Sequence, residues 1–299
     1  MTKSRLKIIL AVVLLLIIVA IGAGIYLLNT VTDDGYAGQP QVVGLPPDYN
    51  PLAATEPYDG PHPARSERLP DPYNYPIPIG EPGPVVPTYL EELSYPFVCR
   101  TERSTLGQPL VDNQEGAGIA VYDGDEIVGY SKDCSINSRV LYFYRSGRNG
   151  QFLPLNDDAE DIEQISLNGE QVPFVVRLEI GTINRHIYVI AMLRGPTDLP
   201  ENPDLTHWNQ KLLYQLRGGV GIGRRQGRIH PSYVPSRTAD QLAKGYAVAH
   251  STANQTSTSY DIQLAEDTMA RVKRQFVARY GDPSYTIGLG KSGGAIQQY

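Results

Sequence analysis

The chain has 299 residues, of which 26 are Lys or Arg and 32 are Asp or Glu, giving a net charge of −6. An acidic chain gains nothing electrostatically from nucleic acid or from an anionic lipid surface, so no nucleic-acid partner is expected. Two cysteines and five histidines, with no Cys-x-x-Cys and no paired histidines, argue against a zinc-type centre; no metal and no cofactor is expected.

The first seven residues carry Lys3, Arg5 and Lys7. Residues 8–28 follow, 21 positions without a charge, long enough to cross a hydrocarbon core of ~30 Å as a helix. With Asp33 and Asp34 beyond them, the positive-inside rule leaves residues 1–7 in the cytoplasm and exports the rest. The expectation is a single-pass protein of the cell membrane with an extracytoplasmic C-terminal part. A cleavable signal peptide competes, but its apolar region is usually shorter, ~7–15 residues. Fifteen of the 24 prolines lie between Pro40 and Pro96, mixed with Gly, Asp and Tyr. This composition predicts an extended stalk over 29–84, with tyrosines such as Tyr73, Tyr75, Tyr89 and Tyr95 able to dock parts of it.

A β-rich module is expected over 85–165. Residues 118–122 and 127–130 flank Asp123-Gly124-Asp125 and read as a hairpin, and 140–144 as another strand. In an exported chain Cys99 and Cys134 can form one disulfide, worth roughly 3–4 kcal/mol by chain entropy; two buried thiols are the alternative. Two longer strands, 172–180 and 186–193, are joined by Gly181-Thr182-Ile183-Asn184. After Pro196 strands and helices alternate, which implies a parallel sheet covered by helices. A strand at 211–216 runs into the glycine-rich Arg217 to Gly223. A weak helix near 237–244 and a strand at 246–250 follow. Over 261–280, Ile262, Ala265, Met269, Val272, Phe276 and Tyr280 step by three and four, predicting a helix with one buried face. Gly281-Asp282-Pro283 stops it, and a strand at 285–289 comes next.

That last strand leads into Gly290-Lys291-Ser292-Gly293-Gly294. A strand followed by Gly-x-Ser-x-Gly is the nucleophile elbow of α/β-hydrolases, a tight strand-to-helix turn that exposes a serine hydroxyl. Acyl transfer also needs backbone N–H donors for the developing oxyanion. One comes from the residue after the serine, here Gly293. The other comes from the loop after the third strand, here Gly218 and Gly219. The fold class is therefore α/β: an incomplete α/β-hydrolase-like sheet over 166–299, preceded by the β-rich module, the Pro-rich stalk and one transmembrane helix.

Four segments carry a family resemblance: Phe97 to Ser104, Arg217 to Gly221, Lys244 to Val248 and Gly290 to Gly294. Together they resemble an uncharacterised bacterial family, DUF6351, which is itself distantly similar to tannase and feruloyl-esterase type hydrolases. The resemblance covers about residues 90–299 and corresponds to the N-terminal part of a longer family member. It implies hydrolysis of a small-molecule ester with Ser292 as nucleophile.

In that fold the triad acid and histidine follow the serine, yet His62, His186, His207, His230 and His250 all precede it. The expectation is a chain inactive as written, whose Asp and His belong to a missing C-terminal half. The alternative is a non-catalytic fragment or interaction domain that retains the fold. Two rival motifs are weaker. A phosphate-binding P-loop needs glycine where Tyr285 stands, and a dinucleotide fingerprint needs it where Arg224 stands. Arg224, Arg225 and Arg228 read as solvated charges or as the rim of an anionic-substrate site.

Overall fold

The computed structural model describes residues 70–298 except 222 and 223. The cytoplasmic segment (1–7), the anchor (8–28) and the stalk as far as residue 69 lie outside the described residues. Among the described residues no helix is long and apolar enough to cross a membrane.

A seven-stranded mixed sheet organises the chain. Its centre is the hairpin β7 (Val175–Ile183) and β8 (His186–Leu193), buried along its whole length on both faces. Such strands carry near-continuous apolar runs because neither face meets water. Ile187, Val189, Ala191 and Leu193 of β8 enter one hydrophobic cluster, while Tyr188, Ile190 and Met192 enter another on the opposite face. The turn is Asn184-Arg185, both at positive φ (54° and 63°), a tight two-residue connection. The loop expected at 181–184 is therefore mostly strand.

Three parallel strands extend this hairpin: β9 (Lys211–Arg217), β10 (Ala247–Gln255) and β11 (Tyr285–Leu289). The spatial order is β11-β9-β10-β8-β7-β3-β4, where β3 is Arg139–Arg145 and β4 is Phe152–Pro154. β3 hydrogen-bonds along β7, so the sheet runs across residue 165, where the sequence suggests a boundary between two modules. β1 (Ile119–Asp123) and β2 (Glu126–Ser131) form the separate expected hairpin.

A second hairpin, β5 (Gln164–Leu167) with β6 (Glu170–Pro173), is absent from the sequence reading. Its turn is Asn168-Gly169, with φ of 53° and 91°, and that dipeptide was the available signal. The single strand expected over 172–180 is thus two, broken at Phe174, whose N–H donates to Glu163 O instead of continuing a ladder.

Short helices α1 (Tyr233–Arg237) and α2 (Ala239–Leu242) cover one face, through Val234 and Leu242. The long helix α3 (Ile262–Tyr280) covers the other through Val272, Phe276 and Tyr280. Asp261 caps α3 by accepting from the Leu264 N–H at 3.0 Å. Ile262, expected on the buried face, is 71% exposed because it precedes the first turn that meets the sheet.

The end of the expected stalk packs onto α3. Asp71 pairs with Arg271 at 3.0 Å and Arg274 at 2.9 Å. The N–H of Ile77, fully buried, donates to Gln275 Oε1 at 2.7 Å.

Cys99 and Cys134 are joined by a disulfide with Cα atoms 5.2 Å apart, closing a loop of 35 residues in sequence separation. Cys99→Ser/Cys134→Ser is expected to lower unfolding free energy by roughly 3–4 kcal/mol, read as a fall in the urea midpoint. An unchanged midpoint would show that the bridge constrains nothing in the unfolded chain.

Candidate functional site

β11 ends at Leu289 and helix α4 (Gly293–Ile296) begins four residues later, so Gly290-Lys291-Ser292 makes the whole turn. Ser292 sits at φ 56°, ψ −132°, a region that non-glycine residues rarely occupy. Holding it there costs on the order of 1–3 kcal/mol, and such strain concentrates at functional positions. Its side chain is exposed, and the hydroxyl has no hydrogen-bond partner among the described residues.

The glycines around it are set by crowding. A Cβ on Gly290 would stand 2.3 Å from the carbonyl oxygen of Gly294, and one on Gly294 would stand 2.6 Å from that of Leu216. The loop leaving β9 closes on the same turn. A Cβ on Gly218 would meet Lys291 O at 2.9 Å and both Gly293 N and Ser292 Cβ at 3.1 Å. Thr256 fixes this loop: its N–H donates to Arg217 O at 3.0 Å and its hydroxyl to Gly219 O at 2.7 Å. β9 and β11 are parallel neighbours, so their C-terminal ends emerge side by side. That register brings Ser292 and Gly293 together with Gly218 and Gly219, two pairs 73 residues apart in the chain at the closest. Cys99 and Cys134 lie elsewhere, in their own small cluster with Phe97.

The turn opens on a cavity of ≈ 530 Å³, lined by Ser292, Lys291, Gly218, Gly219, Arg217 and Arg237 among others. Both guanidiniums lie over the ring of Tyr233, Arg217 at 4.5 Å and Arg237 at 4.2 Å from its centroid. Burial lowers the pKa of Arg217 from its ordinary value, and the positive charge of Arg237 adds to that. The sequence alone assigns Arg237, Tyr233 and Thr256 no part in this site. They reach the site through the fold, and nothing local marks them.

No described histidine bonds Ser292. His186 Nδ1 meets Asn184 O at 2.8 Å, His207 Nδ1 meets Arg194 O at 2.9 Å, and His230 Nδ1 meets Ser232 Oγ at 2.8 Å. His250 lies two strands from Ser292, fully buried, with Nδ1 2.9 Å from Gln215 O. A carbonyl only accepts, so Nδ1 carries the proton and donates it. The neutral ring then keeps its lone pair on Nε2, which is buried without a partner.

Burial pushes the pKa of His186 down to about 4 and that of His250 down to about 3, the latter helped by the charges of Arg217 and Arg237. Both folded values lie below the unfolded one, so the unfolded chain binds more protons as pH falls through 6.5. Stability is therefore full above pH 6.5 and is expected to fall by about 1.4 kcal/mol per pH unit for each ring below it. Urea unfolding between pH 7 and 5, where ordinary carboxylates stay ionised, checks this. A flat profile, or one that His250→Gln leaves equally steep, contradicts it.

Comparison with curated proteins and with solved structures returned no match. A family model, described as a tannase-like family of unknown function, matches residues 39–299, most of the chain. With a strained, exposed Ser292 at a strand-to-helix turn and a glycine loop packed against it, the chain belongs to this tannase-like family of unknown function, DUF6351.

Proposed function

We propose that the site is the nucleophile and oxyanion half of a serine ester hydrolase with an α/β-hydrolase-like sheet. The observation that carries this is the backbone of Ser292 at positive φ between β11 and α4, with Gly218 packed against it. Ser292 Oγ attacks the acyl carbonyl of a small-molecule ester. The N–H groups of Gly293 and of Gly218 or Gly219 receive the negative charge that develops on the carbonyl oxygen. Gly293 opens α4, and the first N–H groups of a helix have no intrahelical acceptor. The general base lies outside the described residues, since no described histidine forms a hydrogen bond to Ser292. We place the site outside the cytoplasm, tethered by residues 8–28, a reading to which the Cys99–Cys134 disulfide lends support. A C-terminal half supplying the triad Asp and His would complete it.

Oxyanion donors accelerate acylation even where a base is lacking. Incubation with an activated aryl acetate is therefore expected to place one acetyl group on Ser292, found by peptide mass spectrometry, and Gly218→Ala should suppress it. Labelling spread evenly over Ser292 and other exposed serines such as Ser236 and Ser166 would sink this reading. It would favour the alternative, a non-catalytic domain that keeps the turn, for which the unpartnered Ser292 hydroxyl speaks.

A further inference from the structure

A second cavity, of ≈ 460 Å³, adjoins the Ser292 cavity across the loop after β9: Gly219 lines the first, and Val220 and Ser257 line the second. Arg100, Arg103, Arg225 and Arg228 line it, and no carboxylate does. None of these four guanidiniums forms an ion pair among the described residues. In a chain of net charge −6, four unneutralised arginines at one cavity run against the composition. Arg100 is held below its ordinary pKa by burial first, and then by the charges of Arg103, Arg225 and Arg228.

This concentration of like charge is built into the fold. Val98 bridges Arg225 in parallel, with the Gln226 N–H donating to Val98 O at 3.0 Å. The Arg100 N–H donates to Gln226 Oε1 at 2.8 Å, and Gln226 Nε2 donates to Cys134 O at 2.8 Å. The Ile229 N–H donates to Ser104 Oγ at 3.1 Å. Arg225 Nη2 donates to Ser257 O at 2.5 Å. Two segments, 98–104 and 224–229, are thereby clamped together beside the disulfide, and each contributes two arginines.

We propose that this cavity binds a small polyanion, a molecule bearing two or more phosphate, sulfate or carboxylate groups. Guanidinium forks match such oxyanions with paired hydrogen bonds, and the repulsion among the four becomes attraction once the anion is seated. The volume falls in the range of small-molecule sites. The site is independent of Ser292.

Isothermal titration of the full 299-residue chain with pyrophosphate and with citrate tests this, using sodium chloride as the ionic-strength control. One equivalent of a probe is expected to bind, more weakly at 200 than at 50 mM salt. Arg103→Gln/Arg228→Gln, both exposed positions, should weaken binding at least ~10-fold, and Arg228→Lys should weaken it less. Arg148→Gln, an exposed arginine away from the cavity, and Ser292→Ala should leave it unchanged. Circular dichroism melting of each variant confirms that it is folded. Binding no tighter than ~10 mM, an unchanged affinity in the double variant, or equal weakening by Arg148→Gln would overturn the proposal.

Discussion

In a longer family member that supplies the triad Asp and His, alanine at the serine matching Ser292 is expected to lower kcat/KM for aryl esters by ~10³-fold or more. A serine that has lost its oxygen has no second nucleophile, and what remains is the contribution of the oxyanion donors and of binding. In the 299-residue chain itself, Ser292→Ala is expected to leave steady-state turnover unchanged. A hydroxyl of ordinary acidity is a poor nucleophile without an adjacent base, and the Ser292 hydroxyl touches none among the described residues. The measurement is steady-state turnover of a chromogenic ester by both proteins and both variants. Robust turnover by the 299-residue chain that Ser292→Ala abolishes would overturn the expectation for this chain and place a catalytic base among His186, His207, His230 and His250. Turnover that survives the substitution in the longer protein would remove Ser292 from the chemistry.

Arg177→Met is expected to destabilise the fold by about 3–5 kcal/mol, a large part of the stability of an ordinary domain. Arg177 and Asp198 are 1% and 0% exposed in their side chains and 3.0 Å apart. The same guanidinium donates to Leu199 O at 2.8 Å and to Pro200 O at 2.6 Å, tying the 198–200 loop to the sheet. Without it, the Asp198 carboxylate keeps only neutral donors, the Tyr142 hydroxyl at 2.7 Å and the Asp204 N–H at 2.9 Å. A buried charge stripped of its counterion costs more than the intact pair contributes. The urea midpoint should fall at constant slope, and Arg177→Met/Asp198→Asn should recover part of the loss. A shift under ~1 kcal/mol in the single variant would show that solvent reaches Asp198.

Local pattern dictates structure in some segments of the chain. The three-and-four spacing over 261–280 marks α3, and Asp261 and Gly281 mark its ends. The apolar run into Gly290 marks β11 and its turn. In others, tertiary contacts override the local signals. Gly181 looks like a loop residue, yet it lies inside β7 because the ring of Tyr188 occupies the space its side chain would need. Residues 71–77 look like tether, but Asp71 finds two arginines of α3, 200 and 203 positions away. Arg177 and Glu179 interrupt an apolar strand and would pass for surface charges, since their partners lie on distant elements. The site shows the same division. Ser292 and its glycines announce themselves, whereas Arg237, Tyr233 and Thr256 are placed only by the sheet order.

β11 carries a consequence beyond the turn it supports. It is an outer strand of the sheet, and Tyr285, Ile287 and Leu289 are each 40–46% exposed along it. Its outward backbone donors and acceptors, unpaired among the described residues, form a template that an extended segment can zip onto. Two copies brought close could therefore join edge to edge and continue one sheet through both molecules. A high local concentration would then favour assembly, and the strand that leads into Ser292 would be the seam.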